Sequence, residues 1–322
     1  MSSPAFAPAA LDVTRPFTRA EALAAGLTDQ HLGDATTFVR IFRGVYVGRA
    51  TTRTLAVRTR AALRIAPPSA MASHETAAVL WGGTVPPQSD IHLTVPQGLN
   101  CQAAGIRTHR YLQVAEPVIH RGVRLTPPER TVCDLAPRLD LVGLVVLGDR
   151  LVRRGATTPI QLIRAADEWP GDFRSRLQRA TRLVRVGVDS PPESRLRMLV
   201  VLAGLPEPTV NHIIRHDETG DWLRRFELAY LDLLLAIEYQ GRWHRESDDV
   251  WEADIARREE LDHHTWRVVE VLGKSLSEDP GHVLQRIEAA RRDRGARATK
   301  TWSEEWRPYF PGTPDPRRQL RT

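Results

Sequence analysis

The chain has 322 residues, with 45 Lys plus Arg against 39 Asp plus Glu and a formal net charge of +6. That length exceeds one ordinary small domain, and a 42% hydrophobic content argues against a disordered chain. The positive balance favours an anionic partner, nucleic acid first, although the cations are almost all Arg, a bias that a GC-rich genome also produces.

Cys101 and Cys133 are the only cysteines, and neither lies in a CxxC or Cys/His cluster, which argues against zinc. Isolated cysteines fit buried thiols in a reducing compartment. No apolar run approaches the length of a membrane span, and the first ten residues lack the basic start and sustained apolar core of a signal peptide. A cytoplasmic location is expected.

Residues 1–16 are rich in Pro, Ala and Ser. Thr18 followed by Glu21 is a capping-box pattern that opens a helix ending near Gly26, and Thr28 caps a second helix to about Ala35. Phe38 to Val47 is β-rich and broken at Arg43-Gly44, which predicts a hairpin. Helix, turn, helix and basic hairpin outline a winged helix-turn-helix, with Arg40 and Arg43 placed to meet phosphates. A small helical packing unit gives the same pattern. The second helix, Asp29 to Ala35, has two acids and no Arg or Lys, which is poor groove chemistry.

Residues 51–66 predict an Arg-studded helix stopping at Pro67-Pro68, and Ser73 to Trp81 a short helix. Asp90–Val95 and Gly105–Arg110 alternate like strands. Thr126-Pro-Pro-Glu129 predicts a helix start with Thr126 as cap. Leu139 to Arg153 reads as a buried helix, and residues 157–185 as basic and helical. After Val186-Gly-Val-Asp-Ser-Pro-Pro192 the order is helix (Glu193–Ala203), strand (Thr209–Ile214), turn (Asp217–Gly220) and two strands. A helix (Asp249–His264), a strand (Trp266–Leu272) and a helix from Pro280 to about Arg294 follow.

The chemistry concentrates in Arg225-Phe-Glu-Leu-Ala-Tyr-Leu-Asp-Leu-Leu-Leu-Ala-Ile-Glu-Tyr-Gln-Gly-Arg-Trp-His244. A turn near Leu231, Asp232 and Leu233 brings Glu227 and Glu238 face to face on adjacent strands, with Gln240 on the same face as Glu238. Paired carboxylates with a third polar group suit a hard cation, and cations so held hydrolyse phosphodiesters. The alternative is that one carboxylate is solvated or paired with Arg224 or Arg225. Glu238 stands in an apolar run, where a carboxylate is rarely buried without a partner. Glu193 either closes its own helix start, since Ser190-Pro-Pro-Glu193 is a capping box, or approaches the pair from that helix. His244 is a candidate base, ligand or phosphate contact, or a packing residue. Arg257 and Arg258 are phosphate clamps or a solvated helix face, and Lys274 is a further candidate cation.

Several segments together carry a resemblance. Ser190-Pro-Pro-Glu-Ser-Arg-Leu-Arg197, Leu202 to Pro208, Phe226-Glu-Leu-Ala-Tyr230, Glu238-Tyr-Gln-Gly-Arg-Trp-His244 and Asp254-Ile-Ala-Arg-Arg258 before Trp266 resemble an actinobacterial domain-of-unknown-function family. That family is related to very-short-patch-repair endonucleases of the PD-(D/E)xK superfamily. The resemblance covers about residues 187–295. More loosely, Phe17 to Leu23, Arg43 to Val47, Ser73 to Ala78 and Pro128 to Ala136 resemble the winged-helix antitoxin of abortive-infection type IV toxin–antitoxin systems.

The nuclease resemblance implies a Mg²⁺ (or Mn²⁺)-dependent core. Glu193 takes the helix acid position, Glu227 the position usually Asp, Glu238 the second-strand acid and Gln240 the position often Lys. Glu for Asp lengthens a ligand, and Gln for Lys removes a positive charge. The expected architecture is α/β (α+β): a winged helix-turn-helix at 17–66, an antitoxin-like middle domain at 67–186, a restriction-endonuclease-like mixed sheet flanked by helices at 187–295, and a tail at 296–322. Expected partners are nucleic acid, DNA first, and, through the antitoxin likeness, a toxin.

Overall fold

The computed structural model describes residues 11–111, 116–215, 222–241, 266–299 and 301–313. It has an α/β fold with mixed sheets flanked by helices. The chain divides into two compact units, Met1–Pro137 and Arg138–Thr322. The division expected at 186/187 falls inside the second.

The first unit opens with β1 (Phe17–Thr18) and α1 (Arg19–Ala24). The Thr18 hydroxyl accepts from the Glu21 N–H, and the Glu21 carboxylate accepts from the Thr18 N–H, so the capping box forms. Gly26, at φ +85°, takes the left-handed turn that ends the helix. Thr28 caps α2 (Asp29–Gly33) by accepting from the His31 N–H. The hairpin follows as β2 (Phe38–Phe42) and β3 (Val45–Gly48), with Gly44 at φ +74° in its turn. The sheet order is β1-β3-β2. Phe17, Ala22, Leu32 and Phe38 form the small core, with Phe17 and Phe38 edge to face at 5.5 Å.

Helix α3 (Leu55–Ile65), capped by Thr54, leads to a second sheet in the same unit. Its elements are β4 (Met71–Ala72), α4 (His74–Leu80), β5 (Ile91–Pro96), β6 (Ile106–Tyr111), β7 (Val118–His120), β8 (Val123–Leu125) and α5 (Pro128–Asp134). The strand order is β6-β5-β4-β8-β7, with β5 and β6 parallel. Ala62, Ala72, Ile91, Leu93, Val123 and Leu125 fill its core. The expected cap at Thr126 is corrected: Pro127 is the N-cap, without a side-chain bond. Thr126 continues out of β8, its N–H donating to Ala72 O and its hydroxyl bonded to Thr131 at 2.8 Å. Both cysteines are buried free thiols, and burial pushes Cys133 up to about 12.

The second unit is built on α6 (Leu141–Arg153), capped by Asp140 and largely buried. Helices α7 (Pro159–Glu168) and α8 (Arg174–Leu183) pack on it. Gly148 makes this approach possible, since a Cβ there would lie 2.4 Å from a Val184 methyl. Helix α9 (Pro191–Leu202) starts with its Pro residues in the first turn, where a missing N–H costs nothing. A four-stranded sheet follows, of β9 (Thr209–Arg215), β10 (Trp222–Tyr230), β11 (Leu235–Gln240) and β12 (Arg267–Leu272), in the order β12-β11-β10-β9. β11 and β12 are parallel and the other pairs antiparallel.

Two helices complete the unit, α10 (Gly273–Glu278) and α11 (Pro280–Asp293). The sequence pattern at 273–278 does not predict the first of these. Residues 301–313, read as tail, are instead packed. Trp306 and Phe310 are 4% and 2% exposed, and backbone bonds run from Ser303 N–H to Ala203 O and from Thr313 N–H to Glu278 O. The expected turn at 217–220 and the helix at 249–264 lie outside the described residues.

Candidate active site

The turn between the two acidic strands forms where the sequence placed it. Leu231–Leu233 make one 3₁₀ turn, and Leu234 reverses the chain in the left-handed region at φ 46°. The β10–β11 register runs Tyr230↔Leu235, Ala229↔Ala236 and Leu228↔Ile237, and Glu227 and Glu238 are the next residue on each strand. The paired ladder, however, stops at Leu228↔Ile237. Beyond it the Glu227 carboxylate takes over the role of backbone, accepting from the Tyr239 N–H at 2.7 Å. On its other side Glu238 lies opposite Glu270 of β12, an exposed carboxylate that sequence reasoning passed over.

Glu193 joins them from the start of α9. Ser190 caps that helix, its hydroxyl accepting from the Glu193 N–H. The Glu193 carboxylate reaches back to the Asp189 N–H at 3.1 Å, one residue earlier than a capping box requires. Glu193 thus ties down its own helix start, and its charge acts on Glu227. Burial, then the Asp189 charge, raises its pKa against the pull of its hydrogen bonds and Arg225.

Glu227 is pushed up to about 7. Burial is the largest cause, opposed by the Tyr239 N–H and reinforced by the charges of Glu193 and Glu238. Three carboxylates from a helix start and two strands thus share one field.

The surrounding cations are arginines. Arg224 bonds Glu238 at 2.8 Å and lies over the Phe226 ring, so Glu238 has the arginine partner that the alternative reading supposed. Arg225, two residues before Glu227, bonds Asp189 at 2.7 Å. Asp189 also pairs with Arg153, and its main-chain O accepts from Arg150 at 3.1 Å. Neither Asp189 nor these α6 arginines stood out in the sequence, because the contacts join segments that carry no shared motif. The only local signal was the basic end of α6.

Gln240 closes β11, half-buried and opposite Leu272. Lys274 lies in α10 beside Glu278, with its side chain 68% exposed. His244, Arg257 and Arg258 lie outside the described residues. In the first unit Arg40 is on β2 and Arg43 in the hairpin turn, both exposed. Arg40 lines an open cleft of about 300 Å³ with Arg53 and Arg58, two residues not singled out from sequence. The acid at the start of α2 is neutralised there, since Asp29 makes a two-pronged pair with Arg19.

In atom type and charge the carboxylate group fits a hard cation: the charges of Glu193 and Glu238 raise the proton affinity of Glu227, and a divalent charge relieves that. Among the described residues, no three His, Cys, Asp or Glu side chains converge into a ready metal site. Glu227 and Glu238 stand one residue beyond the last paired rung of the β10–β11 ladder.

No family model matches the chain. It is similar to two uncharacterized proteins of Mycobacterium tuberculosis, MT2308 of strain CDC 1551 and Rv2248 of strain H37Rv. Each is 26% identical over 222 residues, which cover 68% of this chain and 80% of the relative. A crystal structure of the RV2827C protein from Mycobacterium tuberculosis aligns over 65% of this chain and 86% of its own, at 15% identity and a TM-score of 0.38.

Proposed function

We propose that the protein is a cytoplasmic, DNA-associated phosphodiesterase with a PD-(D/E)xK-like site in its second unit. The observation that carries this reading is the grouping of Glu193, Glu227 and Glu238, with Glu227 raised to about 7 by burial and by the other two. A carboxylate raised in this way by its neighbours' charge is relieved by a cation held beside it. Glu227 and Glu238 would hold Mg²⁺ or Mn²⁺. Bound there, the ion supplies charge to the scissile phosphate and lowers the pKa of the attacking water.

The protein side of the chemistry follows from the geometry. Glu193 holds the start of α9 against the site through the Asp189 N–H. Glu227 ties β10 to β11 just past the end of their ladder. Arg224 orients Glu238 through their ion pair. In the first unit, the helix, helix, hairpin order and the Arg40 cleft support a winged-helix reading in which exposed arginines meet DNA phosphates.

A second reading is favoured by two observations, the Arg224–Glu238 ion pair and the uncharged Gln240. In it the protein is a DNA-binding, antitoxin-like regulator that keeps the nuclease scaffold without its activity, acting with a toxin partner. Cleavage of single- and double-stranded DNA in Mg²⁺ or Mn²⁺ separates the two. Metal-dependent cutting that disappears in Glu238→Ala supports the enzyme. Absence of cutting in both proteins, with salt-dependent DNA binding by the wild type, removes it in favour of the regulator.

A further inference from the structure

Asp189 is an anion surrounded by arginines. Its carboxylate is shared by Arg153 of α6 and Arg225 of β10, the latter at 2.7 Å, and Arg150 of α6 donates to its main-chain O at 3.1 Å. Burial, then the like charges of Arg154 and Arg153, lowers the Arg150 pKa against the pull of Asp189. Three arginines thus converge on this one residue, and the further acids beside them, Glu193 and Glu227, lie on the Arg225 side. The group is also reachable: the Arg153 and Arg225 side chains are 50% and 42% exposed, against 17% for Asp189.

The placement matters as much as the charge. Arg225 precedes Glu227 by two residues on β10, and its charge acts on the Glu227 carboxylate. The Asp189 N–H is held by Glu193. The arginine group therefore borders the carboxylate group directly, with Asp189 between them. Guanidinium groups accept a carboxylate or a phosphate with the same planar donor geometry.

We infer that Asp189 stands in for a backbone phosphate, and that Arg150, Arg153 and Arg225 form the phosphate-holding half of the candidate active site. A DNA phosphodiester entering the site displaces the Asp189 carboxylate and takes over its arginines. The cationic role that Gln240 cannot fill thereby falls to arginines from α6 and β10. The inference rests on the nuclease-like reading for the neighbouring carboxylates, but the binding step it describes needs no metal and no catalysis.

The test is anisotropy of a fluorescein-labelled duplex oligonucleotide in EDTA over a salt series. Wild type is compared with Arg153→Gln/Arg225→Gln and with Asp189→Asn, each checked for folding by circular dichroism. The double variant is expected to bind roughly ten-fold more weakly, with the salt slope reduced by about two, near one for each phosphate left without its arginine. Asp189→Asn is expected to bind several-fold more tightly, because the arginines lose their internal anion; a purely structural role for Asp189 predicts no gain. If the double variant does not fold, Arg153→Gln alone, at a half-exposed position, carries the same expectation at half the slope change. Affinity and slope equal to wild type in the arginine variants overturn the inference, and so does an Asp189→Asn protein that folds and binds no tighter. If wild type cuts DNA in Mg²⁺ while the arginine variants bind unchanged, only this inference falls. If wild type neither binds nor cuts, the nuclease reading falls with it.

Discussion

Arg197 and Asp149 form an ion pair at 2.9 Å in which the side chains are 0% and 1% exposed. Asp149 lies on α6 and also accepts from the Ser194 hydroxyl and the Arg185 N–H, while Arg197 on α9 reaches Glu207 at 2.8 Å. This buried network bolts α6 to α9, which is why residues 138–185 belong to the same compact unit as the four-stranded sheet.

Removing one partner of such a pair strands the other charge. Arg197→Met is expected to lose roughly 3–5 kcal/mol in urea denaturation. Adding Asp149→Asn should recover part of that loss. A single variant within about 1 kcal/mol of wild type would mean that the network is not a structural bolt.

Glu227 gives a pH prediction whose sign is fixed. Its folded pKa, about 7, lies above its ordinary value of 4.5, so the native state binds the proton more tightly than the unfolded chain. The stability contributed by this group is full below about pH 4.5 and is lost as pH rises through about 7. Glu227→Gln keeps an oxygen for the Tyr239 N–H and removes the charge. Its melting temperature should exceed that of wild type at pH 8 by an amount equivalent to roughly 2–3 kcal/mol, with the gap closing towards pH 4.5. A gap independent of pH would show that Glu227 titrates normally.

Trp306 packs against Gly281, where an added Cβ would be 3.7 Å from the indole, and Arg195 lies over the Phe310 ring. Trp306→Ala is expected to destabilise the second unit by roughly 3–5 kcal/mol. Calorimetry should then show two resolved transitions, only the second unit's being shifted. A single unshifted transition would return residues 301–313 to the status of a tail.

The Arg40 cleft makes a separate claim about the first unit. Replacing Arg40 and Arg53 by Gln should weaken duplex DNA binding and lower the salt slope by about one for each phosphate no longer neutralised. Unchanged binding would leave the helix, helix, hairpin segment as packing alone.

Local chemistry was legible in the sequence. The threonine caps of α1 and α2, the glycine turn of the hairpin and the reversal around Asp232 each depend on residues within a few positions. That Glu227 and Glu238 flank one tight turn was legible because the turn and the strands around it are local in sequence. Thr126 was misread because a threonine before two prolines looks like a cap, while Ala72 claims its backbone as an extension of the sheet. The short helix at 273–278 was missed because its polar sequence has no apolar stripe, only Leu276 being buried. The Asp189 arginine group and the Trp306 packing join distant segments, and neither periodicity nor capping reports on such contacts.

The packing of residues 301–313 also bears on the order in which the chain acquires structure during synthesis. The first unit has all its residues by Pro137, so it can close while the ribosome is still making α6. The second unit cannot do the same. Ala203 at the end of α9 and Glu278 in α10 wait for backbone partners at Ser303 and Thr313, and the apolar surface under Trp306 stays uncovered until then. A polypeptide released early, anywhere between α11 and Trp306, would carry a finished first unit beside an open, aggregation-prone second one.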